Sequence, residues 1–342
     1  MNYFIKWTLC AVAVLFISNT PSALADSISN FYAGRNITMV IPSPPGGSYN
    51  LYGRMVARHI GKQIPGNPKL IVKNMPGGGG VIAANYLYNV AAKDGSVIGM
   101  IRQNAAIEQL MGNKNIKYDV RNFHFIGRTN VNVPVHTVLR SLAVKSIGDL
   151  QNTVVITGAP GARSVPASYP RALNHIVGTK WKVVTGYQGG AAARLAFERG
   201  EVQAVVGPAM LYRKRLKKWL TSKKVRIVVQ YADFRHPLFP NVPHMVELGR
   251  TPEQKKILAF IASTAAVGRA FAAPPKVPAA RVQALRAAFM KMSSSKGFRA
   301  EVKKRKVDHQ PLSGDKLQEL IARTMKTPKA IAEKARVALS KK

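Results

Sequence analysis

Four short runs dense in glycine and proline hold the residues of this 342-residue chain best suited to chemistry. They are Pro44-Pro45-Gly46-Gly47, Pro76-Gly77-Gly78-Gly79-Gly80, Gly158-Ala159-Pro160-Gly161-Ala162-Arg163-Ser164 and Tyr187-Gln188-Gly189-Gly190. Each lies between a short apolar run and a segment of helical periodicity. The first turn of a helix leaves backbone N–H groups without intrahelical partners and carries the positive end of the helix dipole. Glycine lets an anion approach those N–H groups closely. Singly, each run suits a plain turn just as well. Together, two pairs separated by a long stretch of chain predict two lobes that hold one anionic ligand across a cleft.

Other chemistry finds less support. Gly78-Gly79-Gly80-Val81-Ile82-Ala83 satisfies the dinucleotide pattern G-x-G-x-x-G/A. That pattern also needs an acidic residue at the end of the next strand. Here Asp94 precedes that strand and Arg102 stands at its end. The chain has no G-x-x-x-x-G-K-S/T, H-E-x-x-H or G-x-S-x-G motif. Its histidines, His59, His124, His136, His175, His236, His244 and His309, include no pair at helical spacing. No metal and no cofactor are expected. A triad assembled from distant residues, as in an exported α/β hydrolase-like enzyme, stays open at this level.

Alternating strands and helices must position the four loops. Ile37-Thr38-Met39-Val40-Ile41 reads as a buried strand, and residues 51–64 as a helix with Met55, Val56, Ile60 and Ile64 on one face. Asn50 or Ser48 can cap its start. Strand 70–72, helix 81–92 and strand 96–101 follow. The middle repeats the theme: strand 154–157, helix 167–177, strand 182–186, helix 191–199, strand 202–206 and strand 226–230. A break at 274–278 precedes three helices, 279–292, 315–326 and 329–339. Strands alternating with helices at this spacing predict largely parallel sheets.

Residues 1–25 read as a secretory leader, with Lys6, an apolar run over 7–17 and the small-x-small end Ala23-Leu24-Ala25. The apolar run is shorter than the roughly 20 residues that span a bilayer. Cys10, the one cysteine, lies inside it, so a chain cleaved near Ala25 has no disulfide or thiol chemistry. A periplasmic location is expected. The formal net charge is +37, from 52 Lys and Arg against 15 Asp and Glu. Such an excess favours anionic partners. Its densest blocks are Arg213-Lys214-Arg215, Lys217-Lys218, Lys223-Lys224 and Lys303-Lys304-Arg305-Lys306. They lack the interleaved aromatics of single-strand binders and any zinc-finger or RNA-recognition signature. They read as solvated faces, with no nucleic-acid partner expected. A basic surface protein that binds nucleic acid stays open as a rival.

Several stretches together are similar to the extracytoplasmic solute-binding proteins of tripartite tricarboxylate transporters, the Bug or TctC family. They are Ile41-Pro42-Ser43-Pro44-Pro45-Gly46-Gly47, Asn74-Met75-Pro76-Gly77-Gly78-Gly79-Gly80, Lys93-Asp94-Gly95, Tyr187-Gln188-Gly189-Gly190 and Glu198-Arg199-Gly200-Glu201-Val202. The resemblance implies a two-lobed α/β fold of the periplasmic-binding-protein flytrap type, each lobe a mixed, mostly parallel sheet flanked by helices. It implies lobe 1 over 26–128 plus 268–342 and lobe 2 over 129–267. It implies a monomer that takes a small carboxylate and delivers it to a membrane permease, or to a sensor. Carried over by position, ligand contacts would come from Pro45, Gly46, Gly47, Ser48, Gly78, Gly79 and Gly80 in lobe 1. Lobe 2 would supply Gly161, Arg163, Ser164, Tyr187, Gln188 and Gly189. Asn50, also a candidate ligand contact, stands where the family usually has Asp, which disfavours amino-acid ligands. The basic excess is the other departure from the family.

Overall fold

The computed structural model describes residues 21–213 and 216–340. The expected leader therefore lies outside the described residues as far as residue 20, and its Ala23-Leu24-Ala25 end falls in the first helix, α1 (Pro21–Tyr32). The chain then alternates β1 (Asn36–Ile41), α2 (Ser48–Ile60), β2 (Lys69–Asn74), α3 (Val81–Asn89), β3 (Val97–Ile101), α4 (Ala105–Leu110) and β4 (His124–Arg128). It continues with β5 (Pro134–Leu139), β6 (Val155–Ala159), α5 (Val165–Val177), β7 (Trp181–Thr185), α6 (Gly190–Glu198), β8 (Ala204–Pro208), α7 (Lys217–Thr221) and β9 (Val225–Gln230). Helices α8 (Pro252–Ala262) and α9 (Thr264–Val267) lead to β10 (Ala270–Ala273), α10 (Ala279–Ser294), α11 (Lys296–Arg305), β11 (Leu312–Ser313), α12 (Gly314–Met325) and α13 (Lys329–Ser340).

Two mixed sheets result. The first runs β11-β4-β10-β3-β1-β2, the second β7-β6-β8-β5-β9. β1 is parallel to β2 and β3, while β10 runs antiparallel to both β3 and β4. β6 is parallel to β7 and β8, and β5 is antiparallel to β8 and β9. β3, Val-Ile-Gly-Met-Ile, is buried at every position, as a central strand covered on both faces should be. One face of the first sheet packs on α2 and α10 through Met55, Val56, Leu285 and Phe289. The other packs on α3 and α12 through Ala84, Leu87, Leu317 and Ile321.

The chain passes between the sheets at residues 129–133 and returns at 263–269. These two crossings are hydrogen-bonded to each other: Thr129 N–H donates to Arg269 O at 3.2 Å, Arg269 N–H to Asn130 O at 3.0 Å, and Asn132 N–H to Ala265 O at 3.1 Å. Gly268 lies between them with φ +58°, and a Cβ there would sit 2.0 Å from Asn130 O. Only glycine allows the crossings to approach this closely.

The C-terminal helix departs from expectation. α13 was expected beside the other C-terminal helices on lobe 1. Its small apolar face, Ala332, Ala335, Ala338 and Leu339, instead joins the core of the second sheet with Leu173 of α5 and Leu258 of α8. A strip of alanines lets helices approach closely, and α5 and α8 offer the matching surface. The basic blocks, where described, are exposed at Arg213, Lys217, Lys218, Lys223, Lys224 and 303–306. Lys214 and Arg215 lie outside the described residues.

One ion cluster ties α11 to α2. Glu301 accepts hydrogen bonds from Arg58, Arg305 and His59, the last at 2.8 Å. Burial works against the charge of Glu301, but these donors outweigh it and hold its pKa at about 2, below the ordinary 4.5. A depressed carboxylate pKa adds stability above the ordinary value and loses it as pH falls through the folded-state value. Glu301→Gln is expected to destabilise the protein by roughly 1 kcal/mol above about pH 5. The difference from the parent shrinks as pH falls from 4.5 toward 2. Urea unfolding at a series of pH values reads it.

Candidate ligand-binding cleft

The four glycine loops each end one strand and start one helix. β1 stops at Pro42, where the backbone donor needed to extend the ladder is missing. Gly47 is the N-cap of α2, Gly80 of α3, Ser164 of α5 and Gly189 of α6. None of the four supplies a side-chain capping hydrogen bond. Three helices elsewhere have one, from Thr251 at α8 within a capping box, Ser295 at α11 and Ser313 at α12, while α4, α7, α9 and α10 have none. No cap side chain therefore claims the first-turn amides at the four loops, although Val81 N–H donates to Gly78 O, Ala167 N–H donates to Ser164 O at 2.9 Å, and Pro166 has no N–H.

All four loops line one cavity of about 450 Å³ between the two sheets. Of the candidate residues, Pro45, Gly46, Gly47, Ser48, Gly78, Gly79, Gly80, Gly161, Ser164, Tyr187, Gln188 and Gly189 lie in its wall. The loops of the two lobes also meet at its rim. A Cβ on Gly79 would sit 3.2 Å from Arg163 O, and one on Gly189 would sit 3.0 Å from Pro44 Cγ.

Two candidates lie elsewhere. The Asn50 side chain accepts from Arg54 Nε at 3.1 Å and from Asn74 Nδ2 at 3.0 Å, which ties the first turn of α2 to the end of β2. It is not in the cavity wall. Arg163 has a half-exposed side chain with Nη1 3.5 Å from Glu108 Oε2, in a separate groove beside α4 and α13. Burial raises the Glu108 pKa against hydrogen bonds from Asn113 and the charge of Arg163. Arg163 thus joins α4 to the loop after β6, where a role over the ligand was expected of it.

The cavity also gathers residues that motif reading passed over. Tyr49 opens α2, Arg102 follows β3, and Arg269 precedes β10. The guanidinium carbons of Arg102 and Arg269 lie 4.4 Å and 3.9 Å from the Tyr49 ring centroid. Arg102 Nη2 donates to Pro42 O at 3.0 Å and Arg269 Nη2 to Ser48 Oγ at 2.7 Å. The Tyr49 hydroxyl accepts from Gln103 N–H at 3.1 Å. Gln103 in turn bonds Asn132 and Thr264, one on each crossing, so the cavity floor is wired to the passage between lobes. Burial lowers the Arg102 pKa, with Tyr49 opposing and Arg269 adding to the shift; a guanidinium remains charged throughout. The cue available in the sequence was a lone arginine at the edge of each of two apolar runs.

The described residues of the wall include serines but no histidine, aspartate or glutamate. The most deeply buried histidine, His136, is engaged in the second core. It bonds Tyr231 Oη at 2.8 Å and Thr157 Oγ1 at 2.9 Å and stacks on Trp181 at 3.7 Å. Burial drives its pKa well below 6.5, so the ring stays neutral. Among the described residues, no helix is long and apolar enough to cross a membrane.

The profile of the "Tripartite tricarboxylate transporter family receptor" matches residues 53–337. The "UPF0065 protein in gbd 5'region" of Cupriavidus necator is 25% identical over 332 residues, covering 95% of this chain and 94% of that one. Two solved structures share the fold. MatC from Rhodopseudomonas palustris with bound malate has a TM-score of 0.65 at 20% identity, covering 88% of this chain and 99% of that one. An R. palustris protein with adipate has a TM-score of 0.67 at 18% identity, covering 88% and 97%. Two mixed sheets flanked by helices and joined by crossings make this a two-lobed periplasmic-binding-protein fold. With most of its length matched, the chain belongs to the tripartite tricarboxylate transporter family of receptors.

Proposed function

We propose that this protein captures a small organic carboxylate between its lobes, outside the cytoplasm, and presents the closed complex to a membrane permease. The observation that carries this is the convergence of four helix N-termini without side-chain caps on one cavity of about 450 Å³. Helix N-termini favour anions, and each lobe contributes two. The malate and adipate held by the R. palustris relatives are of the same chemical class. Contacts from both lobes are what let a ligand stabilise the closed arrangement, since it must bind that state better than an open one. Within this reading the leader is removed near Ala25 and the mature protein acts as a monomer in the periplasm.

A thermal-shift screen with mono-, di- and tricarboxylates tests it. Ligand at about 100 times its Kd adds about 2.7 kcal/mol of stability, a rise of several degrees in Tm. Failure of every acid to raise Tm overturns the proposal. Tyr187 lines the cavity from the second lobe, with its ring against Gly158. Tyr187→Ala is expected to weaken binding at least tenfold by calorimetry, with the ligand-free far-UV spectrum unchanged.

Gly189 tests closure more directly. It has φ +96°, so a side chain there is strained in any state, and its Cβ would press on Pro44 when the lobes meet. Gly189→Ala is expected to lower the ligand-free Tm, and in addition to weaken ligand binding at least threefold. Loss of Tm without loss of affinity would place the contact with Pro44 outside the binding step.

A further inference from the structure

The described residues of the cavity wall include three arginines, Arg102, Arg194 and Arg269, and no acidic residue. Two of the three are set side by side. β10 pairs with β3 in antiparallel register, Ala270 opposite Ile101, so Arg269 and Arg102 extend from adjacent strand ends toward Tyr49. Each has one satisfied nitrogen, at Pro42 O and at Ser48 Oγ. Arg102 Nε, Arg269 Nε and Arg269 Nη1 are buried with no hydrogen-bond partner. Arg269 is only 2% exposed. Buried polar groups in native structures are nearly always bonded, and a buried charge without a counter-charge is costly. Guanidinium groups also bond carboxylates with unusual strength and directionality. These three unpartnered nitrogens therefore point to an acidic group that the chain itself does not supply.

We propose that Arg102 and Arg269, positioned by Tyr49, read a second acidic group on the ligand. The protein then selects compounds with two carboxylates over those with one. This rests on the carboxylate-capture reading above and adds the residues that set its charge preference. One carboxylate occupies the helix N-termini of the glycine loops, and the other meets the two guanidinium groups. A monoacid held at the helix N-termini leaves both guanidinium groups without a counter-charge, whereas a diacid brings a second carboxylate that bridges them. Arg269 also stands in the returning crossing, its backbone bonded to Thr129 and Asn130. Anion binding at its side chain is thus felt where the lobes join.

The test is a ratio. Calorimetry compares succinate with butyrate and adipate with hexanoate, each pair matched in chain length. The expected result is that the parent protein binds the diacid of at least one pair at least tenfold more tightly. Arg269→Gln is expected to cut that ratio to less than a third of its parent value, mainly by losing diacid affinity. Arg102→Gln reads the same ratio and carries the test if Arg269→Gln does not fold, which ligand-free thermal unfolding shows. A parent that binds acid and diacid alike overturns this inference and leaves the capture reading standing. A folded variant that keeps more than a third of the parent ratio overturns it too. A parent that binds none of the carboxylate panel overturns the capture reading and this inference with it.

Discussion

Every full charge and every helix end that faces the cleft has the same sign. Four positive helix termini and three arginines share a cavity whose wall has no carboxylate. Such groups repel one another, and for Arg102 and Arg269 the wall offers only Pro42 O, Ser48 Oγ and the Tyr49 ring in compensation. They stay in place because the rest of the molecule over-determines their positions. The loops are fixed by strands of two sheets, Arg102 and Arg269 by the β3–β10 pairing, and Tyr49 by its place at the start of α2. The core absorbs the electrostatic cost, and an anion relieves it. In the proposed reading, an acidic ligand supplies the counter-charge that the wall itself lacks.

Much of this was legible in the sequence, and the reasons are local. A short apolar run followed by glycine and then a helical period is visible within about fifteen residues. β1, β6, β7 and the helices after them lie close to where that pattern puts them. The four loops, and the twelve candidate residues now found in the wall, come from the same signal. What escaped depends on partners far along the chain. β10 is Ala-Phe-Ala-Ala, too short and too small to announce a strand, and it exists because β3 and β4 flank it. β4 reads His-Phe-Ile-Gly-Arg, which has no alternation to detect. Arg102 and Arg269 are brought together only by that pairing, so no window of sequence contains both.

The two misplaced candidates have the same cause. Asn50 has the right position beside the first glycine pair, but Arg54 and Asn74 claim its side-chain oxygen. Arg163 has the right loop, and its carbonyl meets the rim, but its guanidinium sits 3.5 Å from a buried glutamate on another helix. In both, position along the chain put the residue near the site and a tertiary partner turned its side chain away.

The displaced C-terminal helix has a mechanical consequence. α12 belongs to the first sheet and α13 to the second, so the chain passes between the bodies a third time, at Lys326-Thr327-Pro328. The first two passages lie together and can serve as an axle. The third makes only local backbone hydrogen bonds, Lys326 N–H to Arg323 O and Thr327 N–H to Thr324 O, so it joins the bodies as a strap and not as part of the bonded pair. A stretch running from Met325 to Lys329 reaches roughly 13–14 Å when fully drawn out. In the proposed capture cycle, unless α13 peels from its seat, that length caps how far the jaws can swing apart, so four peptide links at the end of the chain bound the amplitude of opening.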